Sequence, residues 1–140
     1  MDKRKIKRLL FVFNANAGKW SAFVDSTKKL LMIKGCALCT ITHGILGEKA
    51  EWKDCKEELG IPVDYLHKDE IDSEIKEIVG SNLPCILAET EGEFIMLVTS
   101  EVLERCSGSV PDLKGKIYYY AEIKDLEIPH RKLLSKTSFI

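Results

Sequence analysis

Two cysteines with two residues between them, Cys36 and Cys39, are the most chemically suggestive pair in the chain. That spacing lets the sulfurs approach, so the pair can close a disulfide or share a metal ion. Redox work needs one accessible thiolate of lowered pKa, and a helix start or a nearby cation supplies the lowering. Lys34 stands two residues before the pair and His43 four residues after Cys39. A working dithiol requires Cα atoms within about 7 Å and at least one sulfur in reach of solvent. The opposing expectation is structural, because small buried cysteines are common core residues.

A zinc site would take half its ligands from Cys36 and Cys39 and complete the tetrahedron from His43, Cys55 or His67. No second paired spacing supports it, and Cys55 reads as packing beside Trp52 and Leu59 on a helix face. The turn Asn14-Ala15-Asn16-Ala17-Gly18 has the strand-to-helix setting of a phosphate-binding loop, and its amides can hold an anion weakly. Its residues do not fit the motif, since the first glycine would fall at Phe13 and Trp20 separates Lys19 from Ser21. His67-Lys68-Asp69-Glu70 follows a strand and can offer a general acid or base, but no nucleophile partner is identifiable and solvated charges opening a helix turn explain it adequately. No Ser-His-Asp arrangement, dinucleotide fingerprint or cofactor motif is present, and His130 carries no signal.

The composition bounds what these residues can serve. A chain of 140 residues with 45% hydrophobic and 31% charged residues fits one domain with its own core. Its 21 basic and 22 acidic residues leave a net charge of -1, which gives no field for nucleic acid or an anionic membrane. Lys3-Arg4-Lys5 with Lys7-Arg8 is a local basic cluster, expected to be a solubilising lead-in to a strand. The run Leu9–Phe13 is too short for a signal peptide's apolar region, and no other run can span a bilayer. Five cysteines argue against a disulfide framework, so a cytoplasmic protein with reduced thiols is expected.

The elements that must position the cysteines can be followed along the chain. Leu9–Phe13, a continuous apolar run, predicts a strand buried on both faces. Trp20, Phe23, Val24, Thr27, Leu30 and Leu31 recur with helical period, and Gly35 ends that helix. Trp52, Cys55 and Leu59, followed by Gly60, predict a second helix, and Ile61–His67 a strand. Asp72 or Ser73 caps a helix that Gly80 closes. Cys85–Glu89 and Phe94–Val98, joined by a short polar link containing Gly92, predict an antiparallel hairpin. Thr99 or Ser100 caps a further helix, Lys116–Ile123 is expected as a strand, and residues from about 124 as a loosely held tail.

The order strand, helix, strand, helix, hairpin, helix over residues 9–34 and 61–106 resembles the thioredoxin and glutaredoxin fold. The resemblance implies an α/β domain over 1–140 with a mixed sheet flanked by helices and an insertion, about 35–60, after the first helix. It also implies a cis bond at Leu83-Pro84, beside the Asn14–Ala17 turn. The cysteines that such enzymes carry after the first strand are missing, since Asn14-Ala15-Asn16-Ala17 stands there. Phe13-Asn14-Ala15 and Cys36-Ala37-Leu38-Cys39-Thr40-Ile41-Thr42 resemble a family of small uncharacterised proteins, which adds no activity.

The expectation that follows is a thiol-disulfide redox or redox-sensing protein using Cys36 and Cys39, with Cys36 attacking, as the earlier cysteine does in related sites. No cofactor is expected, and the partner is an unspecified protein or small molecule. The alternative is a non-enzymatic binding or adaptor domain whose cysteines are structural.

Overall fold

The computed structural model describes residues 4–14, 37–44, 47–106 and 108–128. In chain order the elements are β1 (Arg4–Lys5), β2 (Arg8–Phe13), α1 (Ala37–Thr42), β3 (His43–Gly44), β4 (Gly47–Glu48), α2 (Ala50–Leu59) and β5 (Val63–His67). There follow α3 (Ser73–Val79), β6 (Cys85–Thr90), β7 (Glu93–Val98), α4 (Ser100–Arg105), α5 (Val110–Ile123) and β8 (Leu126–Glu127). The fold is α/β, built on a four-stranded mixed sheet of order β5-β2-β6-β7. β2 runs parallel to β5 and antiparallel to β6, and β6 and β7 form the expected hairpin.

β2 is central because both of its faces are apolar. Strand periodicity sends Leu9, Phe11 and Phe13 to one face and Leu10 and Val12 to the other, and all five are buried. On the first face they meet Ile86 and Ala88 of β6, Trp52, Cys55 and Leu59 of α2, and the apolar stripes of α4 and α5. On the second face Leu10 and Val12 meet Cys85, Leu87 and, from α3, Ile75 and Val79. Each large side chain taken out of water contributes roughly 1.5–3 kcal/mol, so this two-sided burial fixes the register of β2.

Local signals set the helix boundaries. α2 ends where Gly60 takes a left-handed conformation, φ 68° and ψ 15°, and its amide donates to the Lys56 carbonyl. The Asp72 side chain accepts from the Ile75 amide at 3.0 Å, which starts α3. The peptide bond between Leu83 and Pro84, just before β6, is cis.

Two expectations are corrected. Residues 116–123 are not a strand but the second half of α5. Ser109 caps that helix, Pro111 lies in its first turn, and Val110, Leu113, Ile117 and Ala121 form its buried stripe. The stretch from 124 does not begin loosely: β8 pairs in parallel with β1, and Leu126 and Ile128 are buried. The helix expected over 20–34 and the tail beyond 128 lie outside the described residues.

Candidate functional site

β2 and β5 end together, with Phe13 in register with His67, and β6 begins at the same edge, with Cys85 beside Val12. Side chains at the carboxyl ends of neighbouring parallel strands are where open α/β sheets place their ligands. Asn14 follows β2 at this edge. The chain is described again at α1, whose last residue, Thr42, is followed by His43. The His43 ring stands edge-on to Phe13, with centroids 5.9 Å apart, and to Tyr65 at 5.5 Å. Phe13 also contacts the His67 ring at 6.0 Å, so one aromatic side chain separates the two histidines.

Each histidine is held through Nδ1. Thr42 is fully buried, and its hydroxyl donates to the Leu38 carbonyl at 3.1 Å, a bond back to the preceding turn. The same oxygen lies 2.7 Å from His43 Nδ1. Its one proton being committed to Leu38, the hydroxyl accepts from His43 Nδ1–H, which puts the imidazole lone pair on Nε2. Burial pushes the His43 pKa down to about 4; the Glu48 charge opposes this shift and Lys56 reinforces it. His43 is therefore neutral at physiological pH. His67 Nδ1 lies 2.6 Å from Glu70 Oε1, which also accepts the His67 backbone N–H at 2.8 Å. These bonds hold the Glu70 carboxyl below its usual range.

Behind His43 lies a half-buried polar cluster. His43 and Glu48 are opposite one another in the β3–β4 ribbon. Glu48 accepts from Lys56 Nζ at 2.6 Å and from the Tyr65 hydroxyl, which in turn accepts from Trp52 Nε1 at 2.7 Å. Burial raises the Glu48 pKa, but the donors Lys56 and Tyr65 outweigh it, and the carboxyl sits below its ordinary value. Burial and the bond to Glu48 push the Tyr65 phenol up. Glu48, Lys53, Lys56, Glu57 and Val63 line an open groove of about 400 Å³ beside this cluster. Spacing on α2 could have revealed Trp52 and Lys56, but nothing local in sequence ties Glu48 to Tyr65.

The expected site residues separate as follows. Cys36 and the Asn14–Gly18 turn beyond Asn14 lie outside the described residues. Cys39 occupies the third position of α1. Cys55 is buried on the core face of α2, as expected from its spacing with Trp52 and Leu59. Cys85 and Cys106 are free and buried as well. Burial pushes the Cys85 thiol up to about 12 and raises Cys55 and Cys106 too, so these three are poor nucleophiles at neutral pH. Among the described residues no group of three His, Cys, Asp or Glu side chains is placed to hold a metal ion. Nor is any described helix long and apolar enough to cross a membrane.

Of the basic residues near the start, Arg4 pairs with Glu93, and Arg8 reaches Asp64 and Glu89, each at 2.6 Å. These two cations serve strand pairing inside the molecule. Comparison with protein-family models, with curated proteins and with solved structures gave no match.

Proposed function

We propose that the chain is a thioredoxin-like protein in which Cys36 and Cys39 act as a redox-active or redox-sensing dithiol. The observation that carries this reading is the Cys36-x-x-Cys39 spacing, with Cys39 in α1. Two intervening residues let the sulfurs of such a pair approach, which is the proximity a disulfide needs.

Two further observations support it. The other three cysteines are buried and their thiols raised, which leaves the pair as the chain's candidates for thiolate chemistry. β2, β5, α3, the β6–β7 hairpin and α4 follow one another as in the succession on which the thioredoxin resemblance rests, while its first helix, over 20–34, lies outside the described residues.

The opposing reading, an adaptor domain with structural cysteines, draws on the same three buried thiols, since most cysteines in this chain are core residues. Thiol counting with intact-mass measurement separates the two. A mild oxidant should remove two titratable thiols, a reductant should restore them, and Cys36→Ser should abolish the cycle without loss of fold. Alkylation of Cys55 ahead of the pair, or no reversible loss of thiols, would leave the adaptor reading standing.

A further inference from the structure

We infer that the β7 edge of the sheet is an interface between two copies of this chain, their β7 strands pairing antiparallel about Ile95. The inference stands apart from the redox reading and uses neither cysteine of the pair. β7 ends the strand order, so one side of it meets β6 and the other meets no described strand. The short link Glu91-Gly92 makes Thr90 and Glu93 a hydrogen-bonded pair, and bonded and non-bonded pairs alternate from there. Glu93 and Ile95 therefore turn their backbone groups to β6, while Phe94 and Met96 turn theirs outward. Among the described residues no hydrogen bond reaches these outward groups.

The side chains of the edge decide what fits it. β5, at the opposite edge, carries Asp64, paired with Arg8 at 2.6 Å, and His67, bonded to Glu70 at 2.6 Å, and polar side chains of this kind deter strand addition. β7 runs from Phe94 to Val98 with neither a charge nor a proline, and Phe94, Ile95 and Met96 are half-buried. Its charged residue, Glu93, stands at the turn and pairs with Arg4 of the same chain. A partner must bring backbone donors and acceptors together with an uncharged apolar row, and a second β7 brings both.

A twofold axis at Ile95 sets Phe94 of each copy opposite Met96 of the other. Outward groups then face outward groups, and each such pair exchanges both of its N–H···O bonds. Phe94 and Met96 pack on the sheet face covered by α3, and Ile95 on the face covered by α2 and α5. Pairing thus brings a thioether beside an aromatic ring on one face and Ile95 against Ile95 on the other, both favourable contacts. Past Met96 the strand bulges at Leu97, because Met96 pairs with Leu87 but Val98 with Ile86, so the shared stretch closes there. Each edge satisfies the other, and assembly through β7 stops at two copies.

Sedimentation of the full chain over a range of concentrations, with a thiol reductant present to exclude intermolecular disulfides, should show a dimer that dissociates on dilution. Hydrogen exchange read amide by amide by NMR locates the interface without any variant. In the dimer the Phe94 and Met96 amides should be protected along with the inward Ile95 amide, and on dilution those two should lose protection while Ile95 keeps it. Met96→Lys sets a charge in the apolar row and should sediment as a monomer that retains the Ile95 protection. A wild type monomeric at every concentration overturns the inference, as does a Met96→Lys chain that dimerises like the wild type. A dimer whose Phe94 and Met96 amides exchange freely overturns it in favour of another face, such as the exposed Tyr119 and Ile123 of α5. Protection of both amides that persists in the monomer overturns it too, by showing another segment of the same chain on the edge.

Discussion

Trp52 and Tyr65, thirteen residues apart in sequence, are joined by a hydrogen bond of 2.7 Å from the indole N–H to the phenol oxygen. The bond ties α2 to the edge strand β5, and Tyr65 passes the connection on by donating to Glu48. Trp52 is fully buried and packs on Phe11 with centroids 5.1 Å apart, so its indole N–H has no route to water.

Tyr65→Phe therefore removes one oxygen and strands two partners. The ring keeps its stacking on Phe13 at 5.4 Å, so the apolar packing survives. The orphaned indole N–H and the weakened bond set of Glu48 should cost about 1–3 kcal/mol. Urea unfolding followed by Trp52 fluorescence checks this. A loss below about 0.5 kcal/mol would mean that water replaces the hydroxyl.

Cys85 tests the second face of the sheet. It is fully buried at the start of β6, among Leu10, Val12, Leu87, Ile75 and Val79. Cys85→Ala leaves a small gap, about 1 kcal/mol by the usual cost of a removed group. Cys85→Ser fills the volume but places a hydroxyl where the thiol was a weak hydrogen bonder, and desolvating it should add about 1–2 kcal/mol. The serine variant should thus melt below the alanine variant. The reverse order would indicate a polar partner for position 85.

Much of the fold was legible because its signals are local. Leu9–Phe13 is apolar without interruption, and only a strand covered on both sides requires that. Trp52, Cys55 and Leu59 have helical spacing and Gly60 closes the helix; the link containing Gly92 makes a hairpin. Residues 116–123 misled because Ile117, Tyr118, Tyr119 and Tyr120 are β-formers taken alone, whereas the deciding signals, Ser109 and Pro111, lie a turn or two upstream. β8 was missed because two residues cannot show a period, and its partner β1 stands more than a hundred residues away.

The site was less legible than the fold. The spacing of Cys36 and Cys39 is a sequence property, and so is the four-residue step to His43. The clustering of His43, Glu48, Lys56 and Tyr65 arises only when β5 lies beside β2 and the β3–β4 ribbon folds against them. Glu48 belongs to β4, where it receives Lys56 and Tyr65.

Gly60 supplies a third test, on the connection between α2 and β5. Its φ of 68° lies in the left-handed region, where a Cβ crowds the carbonyl that follows it. Gly60→Ala should cost about 1–2 kcal/mol, and Gly60→Asn less, because asparagine tolerates this conformation better. Equal losses for the two would show that lost space, rather than backbone angle, sets the cost.

Acid should loosen the molecule through His43 and Glu48. For His43 the folded pKa, about 4, lies below the ordinary 6.5, so between those values the unfolded chain binds the proton that the folded chain refuses. Its contribution is complete above pH 6.5 and is lost as the pH falls toward 4. Each pH unit of separation corresponds to about 1.4 kcal/mol, and partial solvent screening of this half-buried ring reduces the sum to about 1–2 kcal/mol. Glu48 acts in the same direction further down. Its folded pKa is lowered, so its stabilisation is present above the ordinary carboxyl value and disappears as the pH falls through the folded one. Denaturant midpoints measured from pH 7 to pH 4 should therefore fall, and His43→Asn should flatten the slope between pH 6.5 and pH 4.5. A wild-type slope unaltered by the substitution would show that His43 takes up its proton in the folded state as readily as in the unfolded chain.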